Sequence, residues 1–146
     1  MGEGPFCREF EVLSGDFYNA GRVSTDIKEI LRQIGIAAPT VRRVAIAAYE
    51  AEMNVVMYAR RGKVRLEVSP DLVRLVVRDE GPGIENIELA MQEGYSTASE
   101  EMREMGFGAG MGLPNIRKNS DRFAIRSEVG VGTELEIEVK VPSAEC

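Results

Sequence analysis

Histidine is absent from this chain of 146 residues. That absence excludes Ser-His-Asp and Cys-His nucleophile systems, the commonest zinc ligation, and phosphohistidine chemistry on the chain itself. Acid–base work therefore falls to Asp, Glu, Lys, Tyr or water. Cysteine is scarce: Cys7 and Cys146 are the only two, far from any metal-ligand spacing, and are expected to be free thiols in a reducing cytoplasm. No window approaches the apolar length of a membrane span, and the opening MGEGPFCREF lacks a basic start followed by an apolar stretch, so neither a membrane segment nor a secretory leader is expected. Positive charge is in deficit. Eighteen Lys and Arg against 24 Asp and Glu leave a net charge of −6, with no basic stripe, which argues against nucleic acid as a partner.

What is present reads as one globular domain over residues 1–146, with 44% apolar and 29% charged residues and length enough for a real core. Five segments alternate at period two: REFEVL (8–13), KVRLEV (63–68), LVRLVVRD (72–79), RFAIRS (122–127) and TELEIEVKV (133–141). In the last, Leu135, Ile137, Val139 and Val141 share one face, and Glu134, Glu136, Glu138 and Lys140 the other. One wet face per strand suits a mixed, largely antiparallel sheet. Helical spacing covers 17–34, with Gly35 as its stop, and about 40–58, with Pro39 near its start; short helices are expected at 86–93 and 112–120. Helices packed on one face of such a sheet make an α/β two-layer sandwich. The stretch 94–109 has little apolar periodicity and reads as a flexible loop.

Three features suggest nucleotide chemistry, and each has a plainer explanation. Glu50 and Asn54, in YEAEMNVV, lie four apart on a helix and project from one side. A carboxylate and an amide oxygen so placed can serve as general base and Mg²⁺ ligand; they also fit an exposed polar pair. Asp79 opens DEGPGI (79–84) and alternates inward with Val73, Leu75 and Val77. A carboxylate at the edge of the core needs a donor, such as the exocyclic amine of adenine, while Gly81 and Gly83 let a planar base approach the backbone. A turn capped by its own amides would read the same way. In GFGAGMGL (106–113), glycines 106, 108, 110 and 112 alternate up to a helix start, where backbone N–H groups can meet phosphate; a glycine linker is the alternative. No lysine occurs between Lys63 and Lys118, so this is not a Walker A loop, and it does not fit G-x-G-x-x-G.

The order of these motifs, E-x-x-x-N on a helix, D-x-G-x-G, a flexible stretch, a glycine loop at a helix start, and GVGT (130–133) at a strand start, resembles the Bergerat-fold ATPases, the superfamily shared by gyrase and the sensor histidine kinases. The resemblance runs from about residue 40 to 141. Within the superfamily, EGYSTAS and GFGAGMGLPNIRKNSDRFAIRSEVGVGT are similar to the small anti-sigma-factor serine/threonine kinases, and among them most to the stressosome switch kinase.

The resemblance implies roles. Glu50 matches the general base and Asn54 the Mg²⁺ ligand. Asp79 matches the residue that binds the adenine amine, with Gly81 and Gly83 beside the base and Thr133 near it. Residues 94–109 match an ATP lid, here carrying the acidic run ASEEMREM with Arg103 as the candidate cation for the γ-phosphate. Gly108, Gly110, Met111 and Gly112 match its phosphate-binding end. Implied with them are ATP and Mg²⁺ as cofactors, a STAS-domain antagonist protein as substrate, and a cytoplasmic partner-switching pathway. An anti-sigma factor that sequesters a sigma factor shares every motif, and relatives of this kind are often homodimers.

Overall fold

The computed structural model describes residues 6–92 and 112–142. Along the chain these form β1 (Phe6–Leu13), α1 (Arg22–Ile34), α2 (Ala38–Tyr58), β2 (Arg61–Ser69), β3 (Leu72–Glu80), α3 (Ile87–Ala90), α4 (Gly112–Lys118), β4 (Arg122–Glu128) and β5 (Gly132–Lys140). The strands form one sheet in the order β1-β2-β3-β5-β4, and each described ladder is antiparallel. The expected strands are all there, each a residue or two longer at one or both ends or shifted by one.

Helix starts differ more. The helix expected from residue 17 starts later: Phe17 and Ala20 pack against the core from the segment before it, outside any helix. Helix α1 begins only after Gly21, whose φ of +96° breaks any helix running through it. Gly35, at φ +99°, ends α1 as expected: its N–H and that of Ile36 return to carbonyls of the last turn. Pro39 lies in the first turn of α2. The helix expected at 86–93 is a single turn, capped by Asn86 Oδ1 accepting from the Leu89 N–H, and α4 stops at Lys118 rather than 120.

Alternation sorts the sheet into two unlike faces. Val64, Leu66, Val73, Leu75, Val77, Ile137 and Val139 point inward and are almost fully buried against Ile27, Leu31, Val44, Val55 and Ile116 of the helices. Each such side chain contributes about 1.5–3 kcal/mol by leaving water. Ala47, Ala48 and Ala51 are fully buried on α2 and let that helix lie close to its neighbours. On the outer face, Arg74 bonds Glu67 at 3.1 Å and Glu136 at 3.0 Å, and Arg78 pairs with Glu134. These charges keep the outer face wet. They hold the layers in register less than the buried face does, since exposed ion pairs contribute little. Helix α2 is thereby fixed across the middle of the sheet, touching α1 on one side and α4 on the other.

Candidate nucleotide-binding site

Helix α2 presents Glu50 and Asn54 toward the start of α4. A β-carbon placed on Gly112 would lie 3.4 Å from Asn54 Oδ1 and 3.5 Å from Glu50 Oε1, ordinary contact distances, so both side-chain oxygens face the start of α4. Three residues on, Asn115 Nδ2 donates to Glu50 Oε2 at 3.1 Å. Leu113, Pro114 and Ile116 are buried and anchor α4 in the core around this contact. Glu50 and Asn54 are each half-buried, with their oxygens directed at the same spot.

Past Asn54 the same helix runs on toward the sheet. A β-carbon on Gly62 would sit 3.0 Å from a Val55 methyl, and one on Gly81 would sit 2.9 Å from the α-carbon of Ala59.

Beyond that end Asp79 is the penultimate residue of β3. It pairs in register with Thr133 of β5, and its Oδ1 accepts the Thr133 N–H at 3.1 Å. Oδ2 has no hydrogen-bond partner among the described residues. Burial pushes the Asp79 carboxyl above its ordinary pKa, and the Thr133 amide offsets this only in part. Gly83, at φ +77°, turns the DEGPGI loop against the β4–β5 hairpin; a β-carbon there would meet the Glu128 carbonyl oxygen at 2.5 Å. The loop is tied down by three bonds: Gly81 N–H to the Val131 carbonyl at 3.0 Å, Gly130 N–H to the Pro82 carbonyl at 2.8 Å, and Ile84 N–H to Ser127 Oγ at 2.7 Å.

The structure thus brings Glu50, Asn54 and Gly112 together along the C-terminal half of α2, and Asp79, Gly81, Gly83 and Thr133 together just past the C-terminus of that helix. Gly108, Gly110, Met111, Arg103 and the expected lid at 94–109 lie outside the described residues. Three further side chains escaped the sequence reading. Ser127 donates to the Gly132 carbonyl at 3.1 Å and lies 3.0 Å from the Thr133 hydroxyl; its position two residues after Ile125 in an alternating strand was the available signal. Asn115 gave none beyond lying one helical turn after Gly112. Glu52, between Glu50 and Asn54, points away from both: it is 2% exposed and accepts the backbone N–H groups of Gly21, Val23 and Ser24 at the start of α1.

Residues 16–139 match the model of the histidine kinase-like ATPase domain. The chain belongs to that family. Among curated proteins, this histidine kinase-like ATPase domain is 28% identical over 113 residues to the serine/threonine-protein kinase RsbT of Bacillus subtilis, spanning 75% of this chain and 79% of that protein. It is 32% identical over 133 residues to an anti-sigma F factor of Clostridium beijerinckii, spanning 81% and 90% respectively. Among solved structures, the catalytic domain of the histidine kinase ThkA superposes with a TM-score of 0.52 at 17% identity, over 93% of this chain and 96% of that one. The last likeness shows the fold alone, the expected two-layer α/β sandwich.

Proposed function

We propose that this domain is a Mg-ATP-dependent protein serine/threonine kinase that phosphorylates a small STAS-type regulatory protein in a cytoplasmic partner-switching pathway. The observation that carries the reading is the placement of a half-buried carboxylate, Asp79, just past the C-terminus of α2, together with the carboxylate–amide pair of Glu50 and Asn54 that faces Gly112 from that helix. Asp79 Oδ2 accepts the exocyclic amine of adenine, a donor that compensates its burial. Gly81 and Gly83 keep the backbone clear for the base, and Thr133 holds Asp79 from the strand beside it.

The donor set fits Mg²⁺. Asn54 Oδ1 is a neutral oxygen ligand, and Mg²⁺ on a nucleotide takes one or two protein oxygens, with phosphates and water supplying the rest. When bound, the ion offsets phosphate charge. Glu50 accepts the proton of the substrate's serine or threonine hydroxyl. The hydroxyl oxygen bonds to the γ-phosphorus, and the bond from phosphorus to the β–γ bridging oxygen breaks, releasing ADP. Gly108, Gly110, Met111 and Gly112 would line the phosphates.

The test is incubation of the chain with γ-labelled ATP, Mg²⁺ and an extract of its own cells, beside a Glu50→Gln control. A small labelled protein that vanishes in the control supports a kinase with Glu50 as base. Equal labelling in both would remove Glu50 from that role.

A second reading is a nucleotide-gated protein that sequesters a sigma factor. The 32% identity to an anti-sigma F factor over 90% of that protein's length favours it. ATP binding without a labelled band, together with co-purification of a sigma subunit, would select this reading.

A further inference from the structure

The two oxygens of Glu50 are not equivalent. Oε2 is held by Asn115 Nδ2 at 3.1 Å, whereas Oε1, like Asn54 Oδ1, faces the space beside Gly112. The amide must turn its nitrogen, not its oxygen, toward an ionised carboxylate. Asn115 and Gly112 are three apart on α4 and Glu50 and Asn54 four apart on α2, so the two helices interlock through paired positions, one turn against one turn. Asn115 has little freedom to leave this arrangement. Its neighbours Pro114 and Ile116 are buried, and its own carbonyl is taken by the Asn119 backbone and side-chain N–H groups.

We propose that Asn115 is the positioning residue of Glu50: it pins Oε2, fixes the carboxylate rotamer, and leaves Oε1 as the oxygen that takes the substrate proton. This rests on the kinase reading above. A carboxylate on a helix surface has several rotamers, and a base acts only from the one within hydrogen-bond reach of the proton it removes. Holding one oxygen converts a mobile base into an oriented one. Hydrogen bonds behind a functional group are commonly worth about 10–100-fold in activity when such a partner is removed, and misplacement by an ångström can cost about 100-fold.

The experiment compares wild type, Asn115→Ala and Asn115→Asp in the labelling reaction with γ-labelled Mg-ATP and cell extract, with ATP affinity measured separately by titration. Asn115→Ala is expected to lower the rate at saturating ATP by about 10-fold or more while ATP affinity stays within about threefold. Asn115→Asp keeps the size and shape but sets a second carboxylate against Glu50, so it is expected to be at least as slow as Asn115→Ala. A space-filling role would leave Asn115→Asp near wild type, and that result overturns the proposal. So does a loss confined to ATP affinity. A wild-type chain that binds ATP yet labels no protein overturns the kinase reading and the role of Asn115 with it. Wild-type labelling matched by Asn115→Asp overturns the Asn115 proposal alone.

Discussion

Thr133 donates its backbone N–H to Asp79 Oδ1 across the β3–β5 ladder at 3.1 Å. The bond satisfies one oxygen of a carboxylate that burial has made costly to ionise. A group held this way favours a ligand with a donor over its own folded state without one.

Asp79→Asn should therefore separate binding from stability. The isosteric amide keeps an oxygen for the Thr133 N–H but turns an NH₂ toward the adenine amine, donor against donor. ATP affinity is expected to fall at least about 100-fold, since losing a charge-assisted bond and leaving donors unpaired costs about 3 kcal/mol or more. Thermal stability without nucleotide is expected to match or exceed wild type, because the charged form no longer has to be buried. A melting temperature well below wild type would show that Asp79 serves the fold rather than a ligand.

The raised pKa of Asp79 predicts opposite trends with pH. The folded carboxyl binds its proton at a higher pH than the ordinary value of 3.8, so between those values acidification favours the folded state through this group. If Asp79 receives adenine as proposed, ATP affinity is expected to weaken over the same interval, because the ionised form is the acceptor. Titrations of affinity and melting temperature against pH, in wild type and Asp79→Asn, check both signs; the variant should lack this contribution to either trend.

Gly132 is required by contact and Gly130 by backbone conformation. A β-carbon on Gly132 would collide with the Asp79 carbonyl oxygen, whereas one on Gly130 meets nothing within 4 Å, although φ there is +84°. Gly130→Ala is expected to cost about 1–2 kcal/mol, the strain of a left-handed residue. Gly132→Ala is expected to cost more than about 3 kcal/mol, because two paired strands must part. Chemical denaturation of the pair tests the ranking, and equal losses would contradict it.

Much of this was legible in the sequence, for local reasons. The strands announced themselves because one face is buried and the other is wet, which writes period two into the residues. Glu50 and Asn54 were legible because four positions on a helix bring two side chains to one side. The start of α1 was not. The apolar spacing of Val23, Ile27, Ile30, Leu31 and Ile34 does not mark where the helix begins, and its first amides are met by Glu52, between 28 and 31 positions away. Glu52 itself looked like another polar residue of YEAEMN, since nothing in the local pattern tells that α1 will lie across it. Asn115 and Ser127 were missed for the same reason: their partners, Glu50 and Ile84, are neighbours only once the layers have packed.

Ser127 joins the DEGPGI loop to the strands beneath it. Ser127→Ala leaves the Ile84 N–H without its acceptor at 2.7 Å and the Thr133 hydroxyl without its neighbour. A loss of about 1–2 kcal/mol in stability is expected, together with about a 3–10-fold weaker affinity for ATP as the loop loosens beside the base. Ser127→Thr retains the hydroxyl and suits a strand, so it should recover most of both. Failure of threonine to rescue would point to the size of the residue rather than its oxygen.

Glu52 makes the last prediction, because it lies between two residues of the candidate site yet faces the other way. One position on a helix advances about 100°, so Glu50 and Asn54 meet α4 while Glu52 reaches α1. There Oε2 accepts from Gly21 at 3.1 Å and Val23 at 3.3 Å, and Oε1 from Ser24 at 3.1 Å. Glu52→Ala leaves these amides buried without an acceptor and is expected to cost about 2–4 kcal/mol, a drop of roughly 5–15 °C in melting temperature for a chain of this size. Burial raises the Glu52 pKa despite those three bonds, so the wild type gains stability through this group as pH falls and loses it as pH rises past the folded value. Glu52→Gln keeps one oxygen acceptor and removes the burial of charge, so it should lose less than alanine and show no such pH dependence. ATP affinity should stay near wild type in the glutamine variant. If it fell as far as in Asp79→Asn, then α1 and its cap would belong to the nucleotide site rather than to the frame around it.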